Sequence, residues 1–189
     1  MTTALITGPT IEPVTLADVK AHLRLDTPDE DQLLQAAIVA ARVHVEAATR
    51  RALIRQLWRI YLEEWPSGRS VVIPLSPLIA IAAVTFYDIA GVPRVWGPEN
   101  WRIDFSSTPA RLVAKVRPQA ALYDNGVEID VVAGYGVSSI DVPAPLRQAV
   151  MILVANWYER RGLVGHDFAG ALAPQGFDAL IAPYKVRRL

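Results

Sequence analysis

Hydrophobic spacing changes period twice along the 189-residue chain. Leu16, Val19 and Leu23 sit at helical spacing behind Thr15, and Asp18 stands where a capping box needs its acidic member. A short helix is therefore predicted from Thr15 to about Leu25. Leu34, Ile38, Ala41, Val45 and Ala48 then follow at alternating steps of four and three, the apolar stripe of a second, longer helix. Thr27 as N-cap, Pro28 in the first helical position and Glu30 closing a box would start it. Asp29, Glu30 and Asp31 at its positive end, with Arg50 and Arg51 at its negative end, complement the helix dipole.

From about Ile54 to Gly136 the period becomes two. Trp58, Ile60 and Leu62 alternate with Leu57, Arg59, Tyr61 and Glu63, the pattern of a strand. Pro66-Ser67-Gly68 turns the chain into a short strand at 71–73. A further strand at 79–87 enters a hairpin through Asp88-Ile89-Ala90-Gly91 and leaves along 92–96. Strands are also predicted at 101–105, 111–116 and 127–133, making an antiparallel unit of six or seven strands.

Helical spacing returns after Val142-Pro143 with Leu146, Val150, Leu153 and Trp157, and stops at Arg160-Arg161-Gly162. A last short helix is predicted from Phe177 to Ala182, broken by Pro183. The fold class is α+β, a small helical bundle with an antiparallel β insertion and a C-terminal tail. Its parts are an irregular N-terminal arm (1–13, with Gly8-Pro9 and Pro13), a helical pair (14–52), the β insertion (53–141), a third helix packing on the pair (142–162), and a loop, short helix and tail (163–189), all within a single compact domain. The helices are expected to pack on one another because each has one apolar stripe to bury.

Composition narrows the functional classes. Apolar residues are 52% and charged residues 20% of the chain, an ordinary globular balance. With no cysteine, disulfides, thiolate metal sites and thiol nucleophiles are excluded. Lys plus Arg (19) cancels Asp plus Glu (19), against a surface devoted to gripping phosphate. No apolar run approaches the ~20 residues of a membrane span, and the first residues do not read as a signal peptide.

Candidate chemistry is sparse. His22, His44 and His166 fall on different elements and read as packing or surface residues. The cluster Asp26, Asp29, Glu30 and Asp31 lacks the glycine of a calcium loop and reads as helix-start acids. Gly134-Tyr135-Gly136 is a lone GxG and reads as a turn leaving the last strand. Ser67, Ser70, Ser138 and Ser139 lack a nucleophile-elbow context. No cofactor, metal site or catalytic group is expected. Trp58, Trp65, Trp96 and Trp101 are expected in the β core, with a partner-facing role for one or two as the alternative. The tail, Pro183, Tyr184, Lys185, Val186, Arg187, Arg188 and Leu189, reads either as a solvated end or as a segment that orders on a partner.

The order and spacing of several pieces resemble the head–tail connector (adaptor) family of tailed bacteriophages. These are the run from Val14 to Asp26, Asp29-Glu30-Asp31, Ala40-Ala41-Arg42, Glu46 and Thr49-Arg50-Arg51. Tyr87-Asp88 to Gly91, Ala133 to Gly136, Val142-Pro143, Ala149, Trp157 to Arg161 and Leu180 to Tyr184 continue the match. The composition also suits family members from gene transfer agents of alphaproteobacteria, which are phage-derived DNA-transfer particles. The Gly-bearing loop at 162–174 is longer than the family pattern.

The resemblance implies a non-enzymatic protein, made in the bacterial cytoplasm and built into a particle neck. It would form a ring, usually of twelve copies, below the portal protein and above a stopper or other tail-side neck protein. Duplex DNA would pass through the lumen without sequence-specific contacts, and residues 183–189 would engage the portal. One domain of this size has a radius of gyration of only ~16 Å and cannot enclose duplex DNA, whereas a closed ring of heterologous contacts can. The alternatives are a stopper or tail completion protein, or a DNA-binding module using the Arg-rich stretch from Arg42 to Arg69. Neutrality is itself a cancellation: residues 1–41 sum to −4 (two basic, six acidic), 42–69 to +3 (six, three), 70–141 to −2 (five, seven) and 142–189 to +3 (six, three). Such alternation would let acidic and basic faces of neighbouring copies meet.

Overall fold

The computed structural model describes residues 1–117, 126–160 and 174–186. The chain divides into two compact units, one from Met1–Pro9 and Arg55–Tyr135, the other from Thr10–Ile54 and the chain from Gly136 onward.

The first unit is all β. Strands β1 (Thr2–Thr7), β2 (Gln56–Leu62), β8 (Val127–Ala133), β4 (Leu78–Tyr87) and β5 (Pro93–Val95) form one antiparallel sheet in that order. Strands β3 (Ser70–Val72), β7 (Arg111–Ala114) and β6 (Trp101–Asp104) form a second. Alternation explains the faces. Val127, Ile129, Val131 and Ala133 of β8 are fully buried, while Glu128 and Asp130 between them lie on the other face, opposite Tyr61 and Arg59 of β2. The core joins both sheets through Ile60, Leu62, Val71, Ile73, Val84 and Leu112, with Trp65 and Trp96 edge-to-face at 5.2 Å. Trp58 and Trp101 pack partly buried against it.

The seven strands expected between Ile54 and Gly136 are present. The eighth, β1, corrects the irregular reading of residues 1–13. Thr2–Thr7 pairs with β2, Thr3 opposite Ile60 and Leu5 opposite Trp58, and Gly8-Pro9 ends the strand rather than preventing it. β1 escapes a pattern-based reading because an edge strand exposed along nearly its whole length has no alternation to display.

The second unit is helical, with α1 (Leu16–Leu23), α2 (Asp31–Thr49), α3 (Ala144–Arg160) and α4 (Phe177–Ile181). The Thr15–Asp18 capping box forms as expected. The Thr27 box does not: α2 begins at Asp31, with no side-chain cap. Lys20 instead donates to the Thr27 carbonyl at 2.8 Å and to Asp31 at 2.7 Å, so a contact from α1 holds the 27–31 segment as a turn. Both α1 and α2 end on an arginine in the left-handed region, Arg24 and Arg50, each with φ of 57°. α2 packs on α3, α1 touches both, and α4 closes on α3. The buried side chains are Val19, Leu34, Ile38, Ala41, Val45, Leu146, Val150, Leu153, Phe177 and Ile181, as the helical spacing requires. No helix among the described residues is long and apolar enough to cross a membrane.

Candidate interaction surfaces

Among the described residues no three His, Asp or Glu side chains converge to hold a metal ion. Two members of the acidic cluster serve the fold: Asp31 pairs with Lys20, and Glu30 accepts a hydrogen bond from the Tyr158 hydroxyl. His44 packs against Trp157 and Phe177, with ring centroids 6.2 and 5.6 Å away, and joins α2 to α3 and α4. His22 is exposed on α1, and His166 lies outside the described residues. Gly134 has a φ of 135° and its amide donates to the Pro77 carbonyl at 2.9 Å, the turn expected at the end of β8. Ser138 and Asp141 cap a short 3-10 turn beyond it, and a Cβ on Gly136 would fall 2.1 Å from the Asp141 carboxylate.

The Arg-rich stretch is largely tied up within the chain. Arg42, 7% exposed, donates to Glu12 at 2.8 Å and to Glu46 at 2.7 Å, and the other Glu46 oxygen accepts from the Leu53 amide at 2.8 Å. Arg59 binds Asp130 through two hydrogen bonds of 2.7 and 2.9 Å and lies 3.0 Å from Glu128; the Asp130 contact above all raises its pKa further. Arg51 donates to the Tyr184 carbonyl at 2.6 Å. Arg50, Arg55 and Arg69 remain exposed, and the stretch is shared between two units. With Arg42, Arg51 and Arg59 committed to partners within the chain, the DNA-binding alternative keeps three exposed arginines of the six.

The tail is built from its buried end outward. Phe177 and Ile181 anchor α4, and a 3-10 turn over Ala182–Tyr184 carries Pro183. Besides the Arg51 bond, the Val186 amide donates to the Thr49 carbonyl at 3.0 Å, and Lys185 reaches Asp178 at 3.1 Å. Residues 183–186 are therefore ordered by the chain itself against the C-terminal end of α2, and do not wait for a partner. Pro183 and Lys185 are exposed, while Tyr184 and Val186 are half-buried. Arg187, Arg188 and Leu189 lie outside the described residues.

A second surface is the hairpin between β4 and β5. One Asp88 oxygen accepts from the Ala90 and Val92 amides, both at 3.0 Å, and the other from the Arg94 guanidinium at 3.1 Å. These bonds, the Val92 amide first, hold the carboxyl below the usual aspartate range. Gly91, at φ 77°, completes the turn. The tip presents Ile89 at 85% exposure, flanked by Val92 and Val95 at 49% and 76%. The sequence held a signal for this, an isoleucine at a turn position where polar residues are usual.

A third surface is the outer side of α2. Leu33, Val39 and Val43 are 49%, 43% and 51% exposed, and Ala36, Ala40 and Ala47 lie exposed among them. The expectation of one apolar stripe per helix is thus corrected: α2 has two, and the described residues bury only one. The signal was the scarcity of charge, since only Arg42 and Glu46 are charged between Asp31 and Arg50.

These surfaces belong to a chain with full-length relatives. The model of the family described as phage gp6-like head–tail connector protein matches residues 13–88. A chain in the neck of an empty gene transfer agent particle, computed with C6 symmetry, is 31% identical with a TM-score of 0.84, covering 100% of this chain and 97% of that one. A chain in the virion of a native gene transfer agent particle is 30% identical, with a TM-score of 0.81 and the same coverage. One in the neck of the native particle, computed with C12 symmetry, is also 30% identical, with a TM-score of 0.77 and the same coverage. No curated protein sequence matches. The match therefore runs through both units, the β sheets as well as the helices, and the chain belongs to the phage gp6-like head–tail connector family, in which its role is that of a structural connector.

Proposed function

We propose that copies of this chain close into a ring, of twelve members, in the neck of a phage-like gene transfer particle. There the ring extends the DNA channel from the portal toward the tail. The observation that carries this reading is the full-length likeness to neck chains at 30–31% identity, one of them in a neck computed with C12 symmetry. The physics agrees. Each copy is too small to surround a duplex, and heterologous contacts between different faces generate closed rings. Neutral overall charge suits a conduit through which DNA must slide, because a lumen dense in unpaired arginine would hold phosphate. The role is structural and not catalytic.

We assign portal contact to the C-terminal segment. Pro183 to Val186 form a pre-ordered base, and Arg187, Arg188 and Leu189 follow from it. Because the base is already held by α2, docking through it carries little ordering cost. The test is co-sedimentation of the full chain and of chains ending at Val186 or at Ala182 with portal assemblies. Loss of binding in both truncations is expected. Undiminished binding by the chain ending at Ala182 would exclude the segment and assign portal contact to another surface of the chain.

A further inference from the structure

We infer that the outer side of α2 is a contact face for a second copy of this chain. The inference deepens the ring reading above and rests on it. A helix that is apolar all round belongs in an interior. α2 approaches this over Leu33–Ala47, where Gln35, Arg42, His44 and Glu46 are the polar side chains, yet one side of it is exposed among the described residues, through Leu33, Val39 and Val43 with three alanines among them. Its two central charges do not interrupt that side. Arg42 and Glu46 point to the buried side, where they bind each other and, for Arg42, Glu12. His44, at the margin, is turned against Trp157 and Phe177.

Size and charge favour another copy as the occupant. Fifteen residues of helix present a strip of about 22 Å by about 10 Å, roughly 220 Å² of footprint. A lasting one-to-one complex needs about 800 Å² per partner. The strip alone does not hold two molecules together; it suits an assembly in which every copy is held from two sides. The charges at its ends are opposite: Asp26 and Asp29 are exposed before the helix, and Arg50 is exposed at its end. A head-to-tail succession of identical copies brings the basic end of one toward the acidic end of the next.

The test places the photo-crosslinker benzoylphenylalanine at position 43 of the full chain, in particles assembled in the producing cells. After irradiation, an adduct at twice the chain mass is expected, with peptides from this chain on both sides of the link. An adduct to a different protein, or no adduct in particles that contain the chain, overturns the inference. Imaging the necks of the same particles separates the two readings. A ring accompanied by a foreign adduct refutes the α2 contact and leaves the ring, whereas particles without a ring refute both. As a second measurement, Val43→Glu should leave the melting temperature of the purified chain unchanged and abolish ring density in the neck. A normal ring built from the Val43→Glu chain overturns the inference.

Discussion

Replacing Arg42 by methionine isolates the ion-pair network of the helical unit. Methionine keeps most of the apolar stem packing and removes the guanidinium, whose side chain is 9% exposed and which bridges Glu12 and Glu46 at 2.8 and 2.7 Å. Glu46, 14% exposed, loses its guanidinium partner beside the core, while Glu12, 26% exposed, is partly rehydrated. Removing one partner of a buried pair costs about 3–5 kcal/mol, and the access of water to Glu12 puts this case at the low end, about 3 kcal/mol. At about 2–4 °C per kcal/mol for a chain of this length, the melting temperature should fall by about 6–12 °C. Thermal and urea unfolding followed by the helical circular dichroism signal reads the loss. Glu46→Gln in the Arg42→Met background should recover part of it, with a coupling of about 1–3 kcal/mol. A single-variant loss under about 1 kcal/mol, with no coupling, would mean that Arg42 is solvated and that the network does not hold residues 10–13 and the 50–54 turn to α2.

Three further outcomes follow from local geometry. Thr15→Ala removes the hydroxyl that donates to the Asp18 carboxylate and accepts from the Asp18 amide, and should cost about 1 kcal/mol. Because the Thr15 bonds hold the Asp18 pKa below its ordinary value in the folded state, their contribution is full above the unfolded-state pKa and fades as pH falls through the folded one; the gap between wild type and variant should therefore shrink in acid, and a gap that grows there contradicts the assignment. Asp88→Ala should speed hydrogen exchange at the Ala90 and Val92 amides while leaving the β8 amides protected, and unchanged rates at the tip would show that the turn does not depend on that carboxylate. Ending the chain at Ala182 removes the bonds from Arg51 to Tyr184 and from Val186 to Thr49 and should cost about 1–2 kcal/mol, whereas ending it at Val186 removes neither and should be close to neutral in urea unfolding.

How far the sequence could be read depended on whether the signal was local. The Thr15 capping box, the buried stripe of α2 and the strands flanking Asp88-Ile89-Ala90-Gly91 are written in residues a few positions apart, and each forms. The start of α2 was misread because Lys20, eleven residues before Asp31, outweighs the capping preference of Thr27. β1 was missed because its partner lies more than fifty residues away and its own faces are both exposed. The division of the strands into two sheets is likewise a property of distant pairing, as with Ser70 opposite Val113, that no periodicity carries. The tail shows a mixed case. Its basic end and Pro183 were visible, but its attachment to Thr49 and Arg51 spans more than 130 residues. The second apolar side of α2 was visible as missing charge, and an eye set on one stripe passes over it. The connector family was legible in ordered short motifs, since none of these pieces is specific alone.

Cryo-electron microscopy of the assembled particle's neck, without imposed symmetry, tests the connector ring most directly. The expected density is a closed ring of twelve copies of this chain lying directly against the portal, with Pro183–Leu189 on the portal side. A neck in which this chain is absent, present as a single copy, or separated from the portal by another protein would contradict it.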